Sequence, residues 1–389
     1  MTAPDPFAPA SLGPLTLRNR IIKAATFEGV MRNGAVTDEL IEFHRRVAAG
    51  GVGMTTVAYC AVSPGGRVQR HTLVMDPTVV PDLKRLTDAV HAEGAAISAQ
   101  IGHAGLVANT RSNGLPTLAP STRISAPAMA LVRAASREQL DEVVSDFERS
   151  TRVAAEAGFD AVEVHLGHNY LLSSFMSPNL NKRTDGYGGS LGNRVELPRR
   201  VLNAVKEAAP PHMAVTAKFN MADGVDAGLW LDESLPMAKL IESDGCLDAM
   251  QLTGGSSLLN GMYFFRGDVP LREFRASQPA IVGLGLKFYG PKLFPKYPFE
   301  EGFFLPFARQ FRDELRIPLV LLGGINRRDT IEGAMAEGFE FVAMARALLR
   351  EPDLVRRMEA DAAHEGRCIH CNKCLPTIYT GTRCVLVDS

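Results

Sequence analysis

Short, predominantly apolar runs rich in β-branched residues recur along most of the chain, each followed by a longer stretch with apolar positions at helical spacing. The runs fall at 20–24, 54–58, 95–101, 161–166, 214–219, 249–253, 319–323 and 341–345. They are continuous rather than alternating, which predicts parallel strands covered on both faces. Helices are predicted between and after them, at 38–49, 81–92, 137–157, 194–208, 233–243, 304–315, 328–336 and 353–362. Thr37, Ser136 and Asp232 stand ahead of three of these as N-caps, and Gly50, Gly94, Gly158 and Gly338 follow four as stops.

Eight strand-then-helix units predict an α/β fold, a (β/α)8 TIM barrel over residues 1–363. A doubly wound sheet should carry Gly-x-Gly-x-x-Gly after an early strand, and none follows Ile21. The stretch at about 256–301, dense in Gly, Pro and aromatics, is too long for a simple barrel loop. It reads as an insertion after strand six, on the side where barrel active sites lie. Residues 364–389 form a Cys-containing C-terminal tail.

Composition narrows the function classes. The 389 residues are 46% hydrophobic and 22% charged, with a formal net charge of −1. That balance supports a real core and gives no electrostatic reason to bind nucleic acid or an anionic membrane. Residues 1–10 lack the basic-then-apolar pattern of a leader, and no apolar run is long enough to cross a bilayer. A soluble, cytoplasmic protein acting on a small molecule is expected; a homo-oligomer is compatible with the sequence. Of six cysteines, Cys60 and Cys246 are isolated, whereas Cys368, Cys371, Cys374 and Cys384 crowd into the tail.

The densest chemistry lies at the end of strand four, in Glu163-Val164-His165-Leu166-Gly167-His168-Asn169-Tyr170. Two imidazoles and a phenol emerge where a barrel strand becomes its loop, the face that hosts catalysis. A lone His there would read as a satisfied core residue; three polar aromatic groups together read as a site. The imidazoles can converge on one substrate oxygen or ligate a metal. An ordinary tyrosine phenol, with a pKa near 10, stays protonated at neutral pH and can deliver a proton. Downstream runs Asn181-Lys182-Arg183-Thr184-Asp185-Gly186-Tyr187-Gly188-Gly189-Ser190, then Asn193-Arg194.

With that loop following that strand, the sequence resembles the old yellow enzyme family of FMN-dependent oxidoreductases, from Phe7 to about Met358. The resemblance implies bound FMN and NAD(P)H as electron donor. It implies reduction of the activated C=C bonds of enones or enals, with His165 and His168 holding the carbonyl oxygen and Tyr170 as proton donor. Gln100, ahead of Ile101-Gly102-His103-Ala104-Gly105, would hydrogen-bond the flavin pyrimidine. Lys218 stands where the family usually has an Arg beside the flavin N1–C2 carbonyl region; a barrel Lys could equally pair with a carboxylate. Gly323, Gly324, Ala345 and Arg346, after strands seven and eight, would hold the phosphate.

There are departures. In Ala24-Ala25-Thr26-Phe27, Phe27 takes the place where relatives commonly put Thr or Cys near flavin C4, implying a different redox potential; Thr26 is the neighbouring contact. Tyr59 is similar to an aromatic residue of the amine-dehydrogenase branch, which raises an oxidative alternative, an amine or ether dehydrogenase or demethylase. Another class is a metal-dependent lyase or hydrolase with His165 and His168 as ligands. The tail resembles the linker that carries a 4Fe–4S cluster in larger members, with shorter gaps before its third and fourth cysteines. The chain ends at Ser389 without further nucleotide-binding domains, so metal-free thiols are expected over iron–sulfur or zinc.

Overall fold

In the computed structural model, which describes residues 3–277 and 280–387, the apolar runs form a closed parallel barrel. Its strands are β1 (Ile21–Lys23), β2 (Met54–Ala61), β3 (Ala96–Gly102), β4 (Ala161–Leu166), β5 (Ala214–Asn220), β6 (Ala249–Thr253), β7 (Leu319–Leu322) and β8 (Phe341–Met344). Each pairs in parallel with the next, and β1 bonds both β8 and β2, so the ring closes. Closure leaves the barrel sheet without a free edge.

Around it lie α1 (Asp38–Ala49), α2 (Val80–His91), α3 (Arg137–Glu156), α4 (Leu191–Ala208), α5 (Leu231–Ser243), α6 (Leu305–Glu314), α7 (Arg328–Ala336) and α8 (Leu354–Ala360). Thr37 caps α1 by accepting from the Leu40 amide, and Ser136 with Gln139 forms a full capping box on α3. Three local expectations are corrected. Trp230, not Asp232, is the N-cap of α5; Asp232 lies inside the first turn, where its charge meets the positive end of the helix. After α1, Gly50 keeps right-handed backbone and Gly51 makes the left-handed turn. α4 starts earlier than periodicity indicates, because Ser190 caps it through the Asn193 amide.

The strands bury both faces, with Val162, Val164 and Leu166 of β4 packed into one continuous apolar layer with the surrounding helices. An antiparallel hairpin of Ala10–Leu12 and Leu15–Leu17 plugs the N-terminal end of the barrel, packing on Ile22, Ala161, Ala214 and Phe341. That end is sealed with apolar side chains, so the polar residues of the barrel gather toward the other mouth.

After β6 the chain leaves the barrel for three short or apolar helices, Met262–Phe265, Leu271–Ala276 and Ala280–Leu293, before α6. The tail returns over the same mouth. Asn372 donates to the carbonyls of Phe265 (2.6 Å) and Asp268 (2.9 Å) in the insertion, and the His370 ring stacks on Phe299. Further on, Thr382 donates through Oγ1 to the Phe27 carbonyl at 2.6 Å. Gly29 is glycine for this contact: a Cβ there would lie 2.2 Å from the Ile378 carbonyl oxygen.

Candidate active site

A cavity of about 610 Å³ opens at the C-terminal mouth, within the usual range for small-molecule sites. Its wall brings together Ala25, Thr26 and Phe27 after β1, Tyr59 of β2, Gln100 of β3, and His165, His168 and Tyr170 at the end of β4. Lys218 of β5, Gly323 and Gly324 after β7, and Ala345 and Arg346 after β8 complete it. Every cavity residue expected from sequence is therefore in one place, although Ala25 and Arg346 stand at opposite ends of the barrel sequence.

The floor is an ion-pair network within the barrel. Gln100 and Glu163 are register partners across β3 and β4, and Lys218 faces both His165 and Gln251 on its neighbours. Glu163 accepts from Gln100 Nε2 at 2.7 Å and Gln251 Nε2 at 2.9 Å, with Lys218 Nζ 3.3 Å away. All four are buried. The barrel carboxylate thus orients the amide and the cation that face the cavity. The sequence pattern does not mark Gln251 as a site residue, and the signal for Glu163 is a carboxylate inside an apolar strand.

His165 lies 4.5 Å, ring centroid to centroid, from Tyr170 and 5.3 Å from His168. Tyr59 packs against both His165 and Tyr170, and its hydroxyl donates to the Gly66 carbonyl at 3.3 Å. Burial holds His168 down at about 3, with Lys218 pushing the same way. His165 sits well below its ordinary value, first through burial, then through His168 and Lys218. Both imidazoles are neutral at pH 7, so each keeps one N–H to donate. The Nδ1 of His165 is buried with no hydrogen-bond partner, a group that a ligand can satisfy.

The loop that presents these rings is pinned from below. His168 and Asn169 both take left-handed backbone, with φ of 60° and 58°. The buried Asp223 carboxylate holds them by accepting from Asn169 Nδ2, Asn220 Nδ2, Ser177 Oγ and the Leu229 amide at 2.6–2.9 Å. His168 Nε2 pairs with Thr253 Oγ1 at 3.0 Å. Periodicity cannot reveal Asp223 or Thr253, because each acts through a fold contact far away in sequence.

Gly323 and Gly324, the pair expected to hold a phosphate, lie on the cavity wall after β7. Gly323 and Gly324 take φ of 114° and 73°, and a Cβ on either would lie 2.6 Å from Phe304 or Phe303. Only glycine fits, which leaves bare backbone toward the cavity. Arg346 reaches the same cavity, yet its Nη1 also donates to the carbonyls of Phe265 (2.8 Å) and Arg266 (3.1 Å) and to Asn372. It therefore ties insertion and tail together as well as bringing charge. Glycine cradle, cation, oriented amide and unsatisfied imidazole together fit a flavin mononucleotide.

Residues 5–248 match the model of the NADH:flavin oxidoreductase / NADH oxidase family. The chain belongs to that family. Its members carry FMN and use NAD(P)H, and the chain is an oxidoreductase of the old yellow enzyme type. A 4,4'-dithiodibutanoate disulfide reductase of Rhodococcus erythropolis is 74% identical over 390 residues, covering 100% of this chain and 97% of that one. A metal reductase of Desulforamulus reducens is 33% identical over 96% of this chain, which spans only 52% of its length. Among solved structures, an old yellow enzyme homologue from Zymomonas mobilis shares the fold with a TM-score of 0.73 at 21% identity, covering 95% and 96% of the two chains.

The four tail cysteines line one small cavity of about 20 Å³. Among the described residues, no group of three or more His, Cys, Asp or Glu side chains is arranged to hold a metal ion. Nor is any helix among them long and apolar enough to cross a membrane.

Proposed function

We propose that this oxidoreductase passes electrons from NAD(P)H to a small organic disulfide bearing carboxylates, releasing two thiols. The observation that carries the reading is the 74% identity, over the whole chain, to a 4,4'-dithiodibutanoate disulfide reductase. Gly323, Gly324, Arg346, Gln100 and Lys218 would hold FMN, which when bound would supply the two-electron chemistry between the nicotinamide and the substrate. Cleaving R–S–S–R to two R–SH takes those two electrons and two protons.

The chain's own groups manage charge and protons. The neutral imidazoles of His165 and His168 offer N–H donors to a substrate atom that gains negative charge, in a buried pocket where such bonds are strong. The Tyr170 phenol, against His165, is positioned to give a proton. The apolar walls, Phe264, Phe265, Phe303 and Met129 among them, exclude water and accept the alkyl arms.

The same three groups favour a second reading, enone or enal reduction, in which they hold and protonate a carbonyl-activated alkene. Stopped-flow mixing separates the two. Enzyme reduced anaerobically with NADH is mixed with 4,4'-dithiodibutanoate or with 2-cyclohexenone, and flavin absorbance is followed. Faster reoxidation by the disulfide, with two thiols formed per flavin, is expected. No reoxidation by the disulfide together with rapid reoxidation by the enone replaces the first reading with the second.

A further inference from the structure

Cys374 stands in a wall shared by two cavities. It lines the active-site cavity beside His370, Leu375 and Ile378, and it also lines the small tail cavity with Cys368, Cys371 and Cys384. All four thiols are free and partly exposed. Arginines crowd the same place: Arg346 lines both cavities, Arg350 and Arg367 line the smaller, and Arg350 Nη1 is 4.0 Å from Cys384 Sγ. Neighbouring guanidiniums favour the thiolate, and Cys-x-x-Cys is a spacing used by dithiols that exchange with disulfides. The tail contains that spacing at Cys371-Asn372-Lys373-Cys374.

Two of these thiols are held toward the neutral form. Burial pushes Cys374 up to about 11 and raises Cys368, while Arg346 pulls both back. A substrate carrying carboxylates would enter beside Arg350 and Arg367, which line the smaller cavity with Cys374, and present a sulfur to that thiol.

We propose that Cys374 and Cys371 are a redox-active dithiol through which the flavin site reduces its disulfide substrate. The proposal rests on the disulfide reading above. In the first step Cys374 Sγ attacks one sulfur of R–S–S–R. The substrate S–S bond breaks, a Cys374–S–S–R bond forms, and the departing sulfur leaves as R–SH with the proton of the Cys374 thiol. Cys371 Sγ then attacks Cys374 Sγ, releasing the second R–SH with its own proton and closing a Cys371–Cys374 disulfide. Two electrons and one proton from NAD(P)H, passed through bound FMN, and one proton from solvent restore the dithiol. The sum is NAD(P)H + H⁺ + R–S–S–R giving NAD(P)⁺ + 2 R–SH.

The experiment uses flavin-loaded protein, reduced with a phosphine, desalted anaerobically and mixed with 4,4'-dithiodibutanoate without nicotinamide. Two thiols released per chain and a mapped Cys371–Cys374 disulfide are expected, at a rate no slower than turnover. Cys371→Ser should accumulate a mixed disulfide on Cys374, read as added mass on its peptide. Cys374→Ser should keep its flavin and lose disulfide turnover by at least about 100-fold, whereas Cys384→Ser should turn over normally. Wild-type turnover in Cys374→Ser overturns the dithiol and leaves the disulfide reading standing. Equal loss in Cys384→Ser, with iron in the protein, assigns the four sulfurs to a cluster and also overturns it. A wild-type enzyme that never reduces the disulfide removes both.

Discussion

His168 stacks on Phe264, ring centroids 4.4 Å apart and planes 19° from parallel. The imidazole that β4 delivers to the cavity is thus backed by the insertion that follows β6. One element supplies the donor and the other fixes its ring plane, and Thr253 at the end of β6 engages its Nε2.

Tyr170 should matter to one half-reaction only. Tyr170→Phe is expected to leave flavin reduction by NAD(P)H nearly unchanged, because that step needs no phenolic proton. Reoxidation by an enone should slow by about 10²–10⁴, the usual loss for a general acid. Rapid mixing on each half-reaction reads both numbers; equal slowing of the two would mean the phenol only packs against Tyr59 and His165.

The Lys218–Glu163 pair should be costly to break from one side. Lys218→Met leaves a buried carboxylate without its cation, at a cost of about 3–5 kcal/mol. The double variant with Glu163→Gln should recover part of that loss, since no uncompensated charge remains. Thermal unfolding of the single and double variants measures this, and a double variant no more stable than Lys218→Met would contradict the ion-pair account.

Gly324→Ala tests the phosphate cradle. Left-handed backbone costs a non-glycine residue roughly 1–2 kcal/mol, and the new Cβ would sit 2.6 Å from Phe303 and 2.9 Å from the Glu300 carbonyl oxygen. The purified variant is expected to carry less flavin and to bind added FMN more weakly. Full flavin content at wild-type affinity would show that the phosphate lies elsewhere.

Acid should unfold the protein early. His103, His168 and His370 are held by burial at about 4, 3 and 3, against an ordinary 6.5. Between about 3 and 6.5 the unfolded chain binds more protons than the folded one, so stability falls as pH drops through that window. Glu28 adds to this at lower pH. Although burial opposes it, the charge of Lys23 holds Glu28 at about 2, so its contribution is present above 4.5 and disappears as pH falls toward 2. His91, raised by its hydrogen bond to Asp160, works in the opposite sense but is a single, partly exposed group. Calorimetry should show a nearly flat Tm from pH 7 to 8 and a steep fall from 6.5 to 4; a Tm that rises on acidification would contradict the buried neutral histidines.

The sequence by itself determined the barrel. Eight apolar runs, each too continuous to face water on one side, admit few arrangements other than a closed parallel sheet jacketed by helices, and all eight strands appear within a few residues of their expected places. It also determined the rings at the end of β4 and the glycines after β7, because a strand end or a left-handed turn is a local property that residue type reports. What it left open was decided by tertiary structure. Only closure sets Glu163 against Gln100, Lys218 and Gln251, and only the packing of distant loops brings Asp223 under Asn169 and Phe264 behind His168. The tail is the sharpest case. Its cysteines are plain in the sequence, but Cys374 reaches the active-site cavity because Asn372 and Thr382, on either side of it, tie the strap to carbonyls of the insertion and of the β1 loop. Those bonds join residues more than 100 positions apart, and backbone carbonyls have no side-chain identity for a sequence pattern to record.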